Sequence, residues 1–156
     1  MNKKVYLALY KAKGNWQDRI IRLFTKGKYS HCELVVEELV EWGQYDWREE
    51  YTFYSSSPRD GGVRCKQMDL NRNTWDLIEL PHAKVEEITA FFNRTSGQKY
   101  DWWGVLGIIL GIKHKRSRYF CSEWCWEALG NLEGWRFSPS DLAVIFKQNK
   151  ENDKER

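Results

Sequence analysis

The distribution of apolar and polar residues divides the chain into a strand-rich first half and a helical second half. Short apolar or alternating runs, bounded by turn residues, predict five strands. They lie at residues 3–11, 31–42, 50–57, 63–68 and 74–80. Because strands come mainly first and helices later, the order predicts an α+β fold in which an antiparallel sheet of about five strands packs against helices.

Helical periodicity predicts one helix between the first two strands and four more after the sheet. The first begins after Asn15, its expected cap. Its expected apolar stripe comprises Trp16, Ile20, Leu23 and Phe24. The later helices are expected at 84–97, 102–112, 121–129 and 138–146. Small residues on the helix at 102–112 would let it pack closely against a neighbour; they are Gly104, Gly107 and Gly111.

These elements are expected to form a single domain over residues 1–146, followed by a charged and flexible tail at 147–156. The N-terminal apolar run ends at Tyr10 and lacks the length and cleavage site of a signal peptide, so it is interpreted as a strand. The longest apolar run, 102–112, is too short to cross a bilayer as a helix. These features predict a cytoplasmic protein with reduced thiols.

The amino-acid composition restricts the possible functions only moderately. Hydrophobic residues account for 42% of the chain and charged residues for 30%, which is typical of globular proteins. The nine tryptophans are expected to serve mainly the core, with an aromatic-lined groove as the alternative. A net charge of +3 with interspersed signs does not favour nucleic acid as a partner. The basic segment KHKRSR at 113–118 is interpreted as a solvated connection, with a docking patch for an anionic substrate or lipid surface as the alternative.

Two of the four cysteines lie one helical turn apart, and the first is better placed for chemistry. Cys121 falls at the predicted start of a helix, where free backbone N–H groups and the helix dipole favour a thiolate. Cys125 lies one turn further into the helix, where this effect has faded, and is interpreted as a core residue.

A nucleophilic cysteine needs a base, and His31 is the best placed of the three histidines. His82 lies in a connection, and His114 lies in the basic segment. His31 begins the second strand, where alternation puts it on one face with Glu33 and sends Cys32 to the other. A tetrahedral zinc site cannot use both His31 and Cys32 in that arrangement, so neither a metal nor another cofactor is expected.

Four short motifs occur in order along the chain: YSHCELVV at 29–36, GQKYDWWG at 97–104, YFCSEWCWEAL at 119–129 and SPSDL at 138–142. Together they resemble the circularly permuted branch of the NlpC/papain-like cysteine peptidase superfamily, the YiiX-like amidases. In that branch the histidine strand precedes the cysteine helix, which is the order of His31 and Cys121 here. The resemblance implies a permuted papain-like fold with Cys121 as the nucleophile and His31 as the general base.

The resemblance also implies a polar residue that orients the imidazole. Glu33 is the expected third residue because of its His-x-Glu spacing, and the serines at 55–57 on the adjacent strand are the alternative. Tyr100 matches a tyrosine that commonly lines the site in this superfamily. Ser122 and Ser55 are further candidates for the substrate site.

The implied reaction is hydrolysis of an amide, ester or thioester in a peptide- or lipid-like substrate, through an acyl-enzyme. The apolar run at 102–112 and the basic segment would suit a site near a membrane surface. The alternative is a non-catalytic binding module on the same scaffold, for a cell-wall, lipid or protein partner.

Overall fold

The computed structural model describes residues 3–110 and 117–154. Over these ranges the chain is α+β, with one seven-stranded sheet and five α-helices. The strands are β1 (Lys4–Tyr10), β2 (His31–Trp42), β3 (Asp46–Ser57), β4 (Gly62–Gln67), β5 (Trp75–Glu79), β6 (Lys99–Tyr100) and β7 (Arg118–Tyr119). The helices are α1 (Trp16–Thr25), α2 (Val85–Thr95), α3 (Trp102–Leu110), α4 (Cys121–Ala128) and α5 (Pro139–Lys154), with a 3-10 turn at Gly134–Arg136.

The strands are ordered β5-β1-β2-β3-β4-β6-β7 across the sheet. All neighbouring strands are antiparallel except β6 and β7, which are parallel. Each of the five predicted strands is present, and β2 and β3 form a hairpin that extends to the pair Trp42 and Asp46. No sequence pattern predicts β6 and β7, since two residues are too few to show an alternation.

The two faces of β2 carry different residues, as the alternation predicts. Cys32 and Leu34 are fully buried in the main core, together with Trp124 of α4. Val35 belongs to a smaller apolar cluster on the opposite face. A leucine buried like Leu34 contributes about 2–5 kcal/mol relative to alanine. The main core therefore fixes which residues of β2 point towards α4 and which point away from it.

The predicted cap of α1 is present, and α5 begins with a cap of the same kind. The amide of Asp18 donates to Oδ1 of Asn15 at 3.2 Å, and the amide of Asn15 donates to the Asp18 carboxylate at 2.9 Å. Ser138 and Asp141 make the same reciprocal pair at the start of α5. Each pair satisfies backbone donors that a helix leaves free at its first turn.

The predicted apolar stripe of α1 is wrong. Trp16 and Leu23 are 65% and 73% exposed, and Ile20 is half-buried. The buried side chains of α1 are Asp18 and Ile21. Periodicity identifies an apolar stripe on a helix, but it does not tell which side of the helix faces the core. In α1 the polar side chain of Asp18 faces inwards. The side chain of Phe24, also assigned to the stripe, lies outside the described part of the chain.

Helix α3 packs closely through Gly104, as predicted. A Cβ atom at this position would lie 2.7 Å from Cδ1 of Phe120 and 2.9 Å from the Asp101 carboxylate, so only glycine fits without a shift. Gly111, the rest of the predicted helix and most of the basic segment lie outside the described residues, and so do residues 155 and 156.

The segment after Phe146 is helical, whereas the sequence indicated a flexible tail from residue 147. Helix α5 continues to Lys154. The residues of this segment include Lys, Gln and Glu, which are good helix formers, and the side chains at 147–149 and 151 are exposed. A helix whose first turn is capped at Ser138 can therefore continue without an apolar face.

The tryptophans serve the core less than expected. Only Trp124 is fully buried among the side chains that the structure describes. Five of the nine are exposed: Trp16 (65%), Trp42 (58%), Trp47 (55%), Trp102 (38%) and Trp103 (64%). None of the helices in the described ranges has the length and apolar content needed to cross a membrane.

Candidate active site

Cys121 is the first residue of α4 and lies against the beginning of β2. Phe120 precedes it in an extended conformation (φ −94°, ψ 168°), and its carbonyl accepts the amide of Trp124 at 3.1 Å. The first turn of α4 therefore begins as the sequence predicts, with the thiol among free backbone N–H groups. Cys121 is 2% exposed, and His31 lies beside it.

The thiol of Cys121 and the imidazole of His31 shift each other's pKa values in opposite directions. Burial alone would raise the pKa of Cys121, but hydrogen bonds from Cys32 and the positive charge of His31 hold it well below its usual range. Burial also opposes protonation of His31, but the Cys121 thiolate and the Glu33 carboxylate raise the pKa of the imidazole to about 10. Each group therefore favours the charged form of the other, which is the thiolate of Cys121 and the imidazolium of His31.

The two ring nitrogens of His31 have different surroundings. Nε2 lies 2.9 Å from Oε1 of Glu33. Nδ1 is buried and has no hydrogen-bond partner among the described residues. Glu33 thus holds one nitrogen, and the other is left to exchange a proton near the Cys121 sulfur. The structure brings Cys121, His31 and Glu33 together in this way.

Arg64 is a site residue that the sequence analysis missed. Its Nη1 and Nη2 atoms donate to the two carboxylate oxygens of Glu33 at 2.7 and 2.6 Å, and its Nε donates to Asp60 at 2.9 Å. Burial would raise the pKa of Glu33, but the hydrogen bonds from His31 and Arg64 lower it, so the carboxylate is charged although its side chain is 2% exposed. The bidentate geometry also fixes the direction of Glu33 towards the imidazole.

The path of Arg64 to Glu33 depends on the register of three strands. Ser55 of β3 is paired with Arg64 of β4, and Leu34 of β2 is paired with Tyr54 of β3. Continuing this register by one residue places Glu33 of β2 opposite Ser55 of β3. The small serine side chain leaves room for the guanidinium to cross β3. Only this cross-strand register signals the contact, and a single sequence does not contain it.

The serines do not take the positions expected for the substrate site. The Ser55 hydroxyl donates to the Cys32 carbonyl at 2.8 Å, and the Ser122 hydroxyl donates to the Phe137 carbonyl at 2.7 Å. Neither residue lines the cavity beside His31. Both hydroxyls instead connect neighbouring segments of backbone. Glu33, not a serine of 55–57, is bonded to the imidazole.

Tyr100 lies close to the thiol, as expected, and is 4% exposed. Its hydroxyl has no hydrogen-bond partner among the described residues. Burial and the negative charge of Cys121 raise the pKa of Tyr100 well above its usual value, so the phenol keeps its proton. The result is an O–H donor without a partner among the described residues, buried in a cluster with Ile21, Val105 and Phe120.

A cavity of about 310 Å³ lies on the other side of His31. One wall is charged, and it includes Glu33, Arg64 and the pair of Arg59 with Asp18. The apolar part of the lining comprises Tyr10, Ile21, Met68 and Trp75. His31 lines the cavity but Cys121 does not, and the thiol has almost no exposed surface. A substrate carbonyl therefore reaches the sulfur only after neighbouring side chains move.

The other histidines are not part of this site. His82 lies in the turn after Leu80 and lines a separate surface pocket, and His114 lies outside the described residues. Within residues 3–110 and 117–154, no group of three or more His, Cys, Asp or Glu side chains is arranged to hold a metal ion.

No family model matches the chain, and a comparison with curated proteins finds no match.

Proposed function

We propose that the protein is a cysteine-dependent amidase or related acyl hydrolase with a circularly permuted papain-like fold. The observation that carries the proposal is the pairing of Cys121 with His31, with Glu33 on the second imidazole nitrogen. A thiolate at a helix start, a base in contact with it and a third residue that orients the base are the parts of a nucleophilic hydrolase. The order of the elements, histidine strand before cysteine helix, supports the permuted fold.

The reaction begins with attack of the Cys121 thiolate on the carbonyl carbon of the substrate. A C–S bond forms, and the carbonyl electrons move to the oxygen. Two donors can meet this oxyanion: the backbone N–H groups at the start of α4 and the unpartnered hydroxyl of Tyr100. The imidazolium of His31 donates a proton from Nδ1 to the leaving group, the bond to that group breaks, and a thioester on Cys121 remains.

The second half of the reaction returns the enzyme to its starting state. Neutral His31 accepts a proton at Nδ1 from a water molecule as the water attacks the thioester carbon. The C–S bond breaks, the acid leaves, and the thiolate and imidazolium form again. Glu33 stays ionised and stabilises the imidazolium, and Arg64 keeps Glu33 charged and oriented.

The same chemistry applies to amides, esters and thioesters, and the cavity suits a substrate with both polar and apolar parts. Its charged wall can bind polar groups next to His31, while Tyr10 and Trp75 can pack against an apolar group. A peptide- or lipid-like acyl compound has both kinds of group.

Acylation of the protein tests this proposal directly. Wild type, Cys121→Ser and Cys125→Ser would be incubated with p-nitrophenyl acetate, p-nitrophenyl butyrate and a panel of aminoacyl fluorogenic amides. We expect an acyl adduct on Cys121 by mass spectrometry and turnover in wild type and Cys125→Ser, with neither in Cys121→Ser. Equal turnover in wild type and Cys121→Ser would overturn the proposal.

One observation favours a second function, a binding module without turnover. Cys121 is 2% exposed, which is less than a working nucleophile needs when it meets its substrate. If this function is the right one, Cys121→Ala binds the partner as well as wild type does, and no acyl adduct forms on the wild-type protein with any substrate class.

A further inference from the structure

We propose that the outer sides of α1 and α3 form a docking surface for an anionic lipid bilayer. This α1–α3 face consists of four exposed apolar side chains and two exposed cations: Trp16, Leu23, Trp103, Leu110, Arg19 and Lys26. The proposal concerns an interaction surface and does not depend on the catalytic role of Cys121.

The apolar members of the face are repeated along each helix at the same spacing. Trp16 and Leu23 are seven residues apart on α1, and they are 65% and 73% exposed. Trp103 and Leu110 are seven apart on α3, and they are 64% and 62% exposed. Seven residues are two helical turns, so each pair lies on one side of its helix. Large apolar side chains exposed in a row mark an interaction surface more often than isolated ones do.

Helices α1 and α3 pack against each other. The rings of Trp16 and Trp102 are stacked, with centroids 6.5 Å apart and an angle of 4° between the planes. Ile21 of α1 and Val105 of α3 are buried in one cluster beneath them. The inner sides are therefore already used by the core, and the exposed pairs are left for something outside the chain.

The charge around this face identifies an anionic partner. The segment 11–28, which includes α1, has six basic residues and one acidic residue. The basic residues are Lys11, Lys13, Arg19, Arg22, Lys26 and Lys28, and the acidic one is Asp18, which is buried and paired with Arg59. Lys11 and Lys28 both form ion pairs with Asp76, so the excess positive charge of the segment lies on the other four basic residues. On α1, Arg19 lies between Trp16 and Leu23 along the exposed side, and Lys26 follows.

The opposite charge is concentrated in the β2–β3 hairpin. Between residues 33 and 50 the chain has seven acidic residues and one basic residue. The protein therefore carries a charge asymmetry that turns the α1–α3 face towards a negative surface and the hairpin away from it. Tryptophan and aliphatic side chains combined with Lys and Arg are typical of helices that lie in the headgroup region of anionic bilayers.

Docking in this way would place the cavity close to the lipid. Asp18 and Ile21 on the inner side of α1 line the cavity, while Trp16 and Leu23 on the outer side would contact the bilayer. A helix is about 10 Å across with its side chains, so only one helix thickness would separate the cavity wall from the headgroups.

Vesicle binding tests the docking surface, and the chain offers a matched control. Protein would be sedimented with vesicles of phosphatidylcholine containing about 30 mol% phosphatidylserine, and with pure phosphatidylcholine, at about 0.1 M salt. We expect binding to the anionic vesicles, and a partition coefficient at least about tenfold lower for the Trp16→Ser/Trp103→Ser variant. The control, Trp42→Ser/Trp47→Ser, removes two equally exposed tryptophans from the acidic hairpin and should change binding by less than about twofold.

A second variant tests how much the basic residues of α1 contribute to vesicle binding. Arg19→Glu/Lys26→Glu should weaken binding to anionic vesicles by about tenfold or more, whereas Lys147→Glu on α5 should have a much smaller effect. Circular dichroism and turnover of a water-soluble ester would show that the variants are folded. The docking proposal is overturned if wild type does not bind anionic vesicles, or if the hairpin variant loses as much binding as the α1–α3 variant. Vesicle binding is also measured with Cys121→Ala. If this variant binds vesicles as wild type does, the docking surface stands whether or not the proposed catalysis is correct.

Discussion

Cys121 and Cys32 are buried to nearly the same extent, 2% and 0% exposed, yet the pKa values of their thiols move in opposite directions. Burial raises the pKa of both. For Cys32, the neighbouring thiols of Cys121 and Cys125 raise it further, whereas for Cys121 the Cys32 donor and the His31 charge reverse the direction. Hydrogen-bond donors and a nearby positive charge, more than the degree of burial, therefore set the direction in which the pKa of each of these two thiols moves.

The largest expected effect comes from removing the nucleophile. Cys121→Ser should lower turnover by at least about a thousandfold, because a serine hydroxyl is not ionised by the same histidine. Cys125→Ser lies one turn away on α4 and should keep most of the activity. Turnover of an activated ester by the two variants checks this. Similar losses of turnover in the two variants would contradict the assignment of Cys121 as the nucleophile and of Cys125 as a core residue.

Arg64→Met tests whether the partner of His31 needs its own support. It leaves Glu33 buried with fewer donors, which should cost about 3–5 kcal/mol in the free energy of unfolding, together with most of the turnover. Arg48→Met breaks an ion pair with Glu50 that is largely exposed, and it should cost no more than about 1 kcal/mol. Urea denaturation measures both. An Arg64 variant as stable as the Arg48 variant would contradict the role given to the buried pair.

Glu33→Gln tests whether the charge of Glu33 supports the imidazolium, because it removes the charge and keeps the shape of the side chain. The carboxylate raises the pKa of His31, which is about 10, so the imidazolium should persist to high pH in wild type and less far in the variant. The alkaline limb of the pH–rate profile should therefore move to lower pH, with about tenfold lower turnover at neutral pH. An alkaline limb at the same pH in both proteins would exclude Glu33 as the residue that supports the charge of His31.

The smallest expected effect concerns Asp60, which holds Arg64 from the other side. Burial opposes its ionisation, but Lys66 and Arg64 hold the pKa of Asp60 at about 2. A lowered carboxyl pKa adds stability above the unfolded value, and this stability is lost as the pH falls from about 4 towards 2. Asp60→Asn should therefore be less stable than wild type at neutral pH and should lose less on acidification. Thermal unfolding between these pH values measures the difference, and parallel curves would contradict it.

Cys121, His31 and Glu33 could be found from the sequence because each depends on local structure. Cys121 follows an extended residue at a helix start, and the spacing of His31 and Glu33 puts them on one face of a strand. Arg64 could not be found in this way, since its contact with Glu33 depends on the register across β3. The serine assignments failed for the same reason, because a hydroxyl such as that of Ser55 bonds whichever backbone carbonyl the neighbouring strand presents.

The fold was predictable to the level of its five main strands and the order of its helices. The docking of α1 was not, since an amphipathic pattern does not tell whether an apolar side chain such as Trp16 faces the core or the outside. The buried Asp18 shows why: its carboxylate accepts a hydrogen bond from Ser30 and pairs with Arg59, and these tertiary contacts hold a polar side of the helix inwards. The helical continuation of α5 to Lys154 was also missed, because residues 147–154 include no apolar residue whose spacing could indicate a helix.

The measurement that tests the central claim most directly is the pH dependence of alkylation at each cysteine. Wild type and His31→Ala would be treated with iodoacetamide from about pH 5 to about pH 9, and labelling of Cys32, Cys65, Cys121 and Cys125 would be followed by mass spectrometry. The account predicts that Cys121 alone is labelled rapidly near pH 6 in wild type, and that removal of His31 shifts its labelling to about pH 8.5 or above. If Cys121 reacts no faster than Cys32, or if His31→Ala leaves its profile unchanged, the thiolate–imidazolium pair does not exist in this protein.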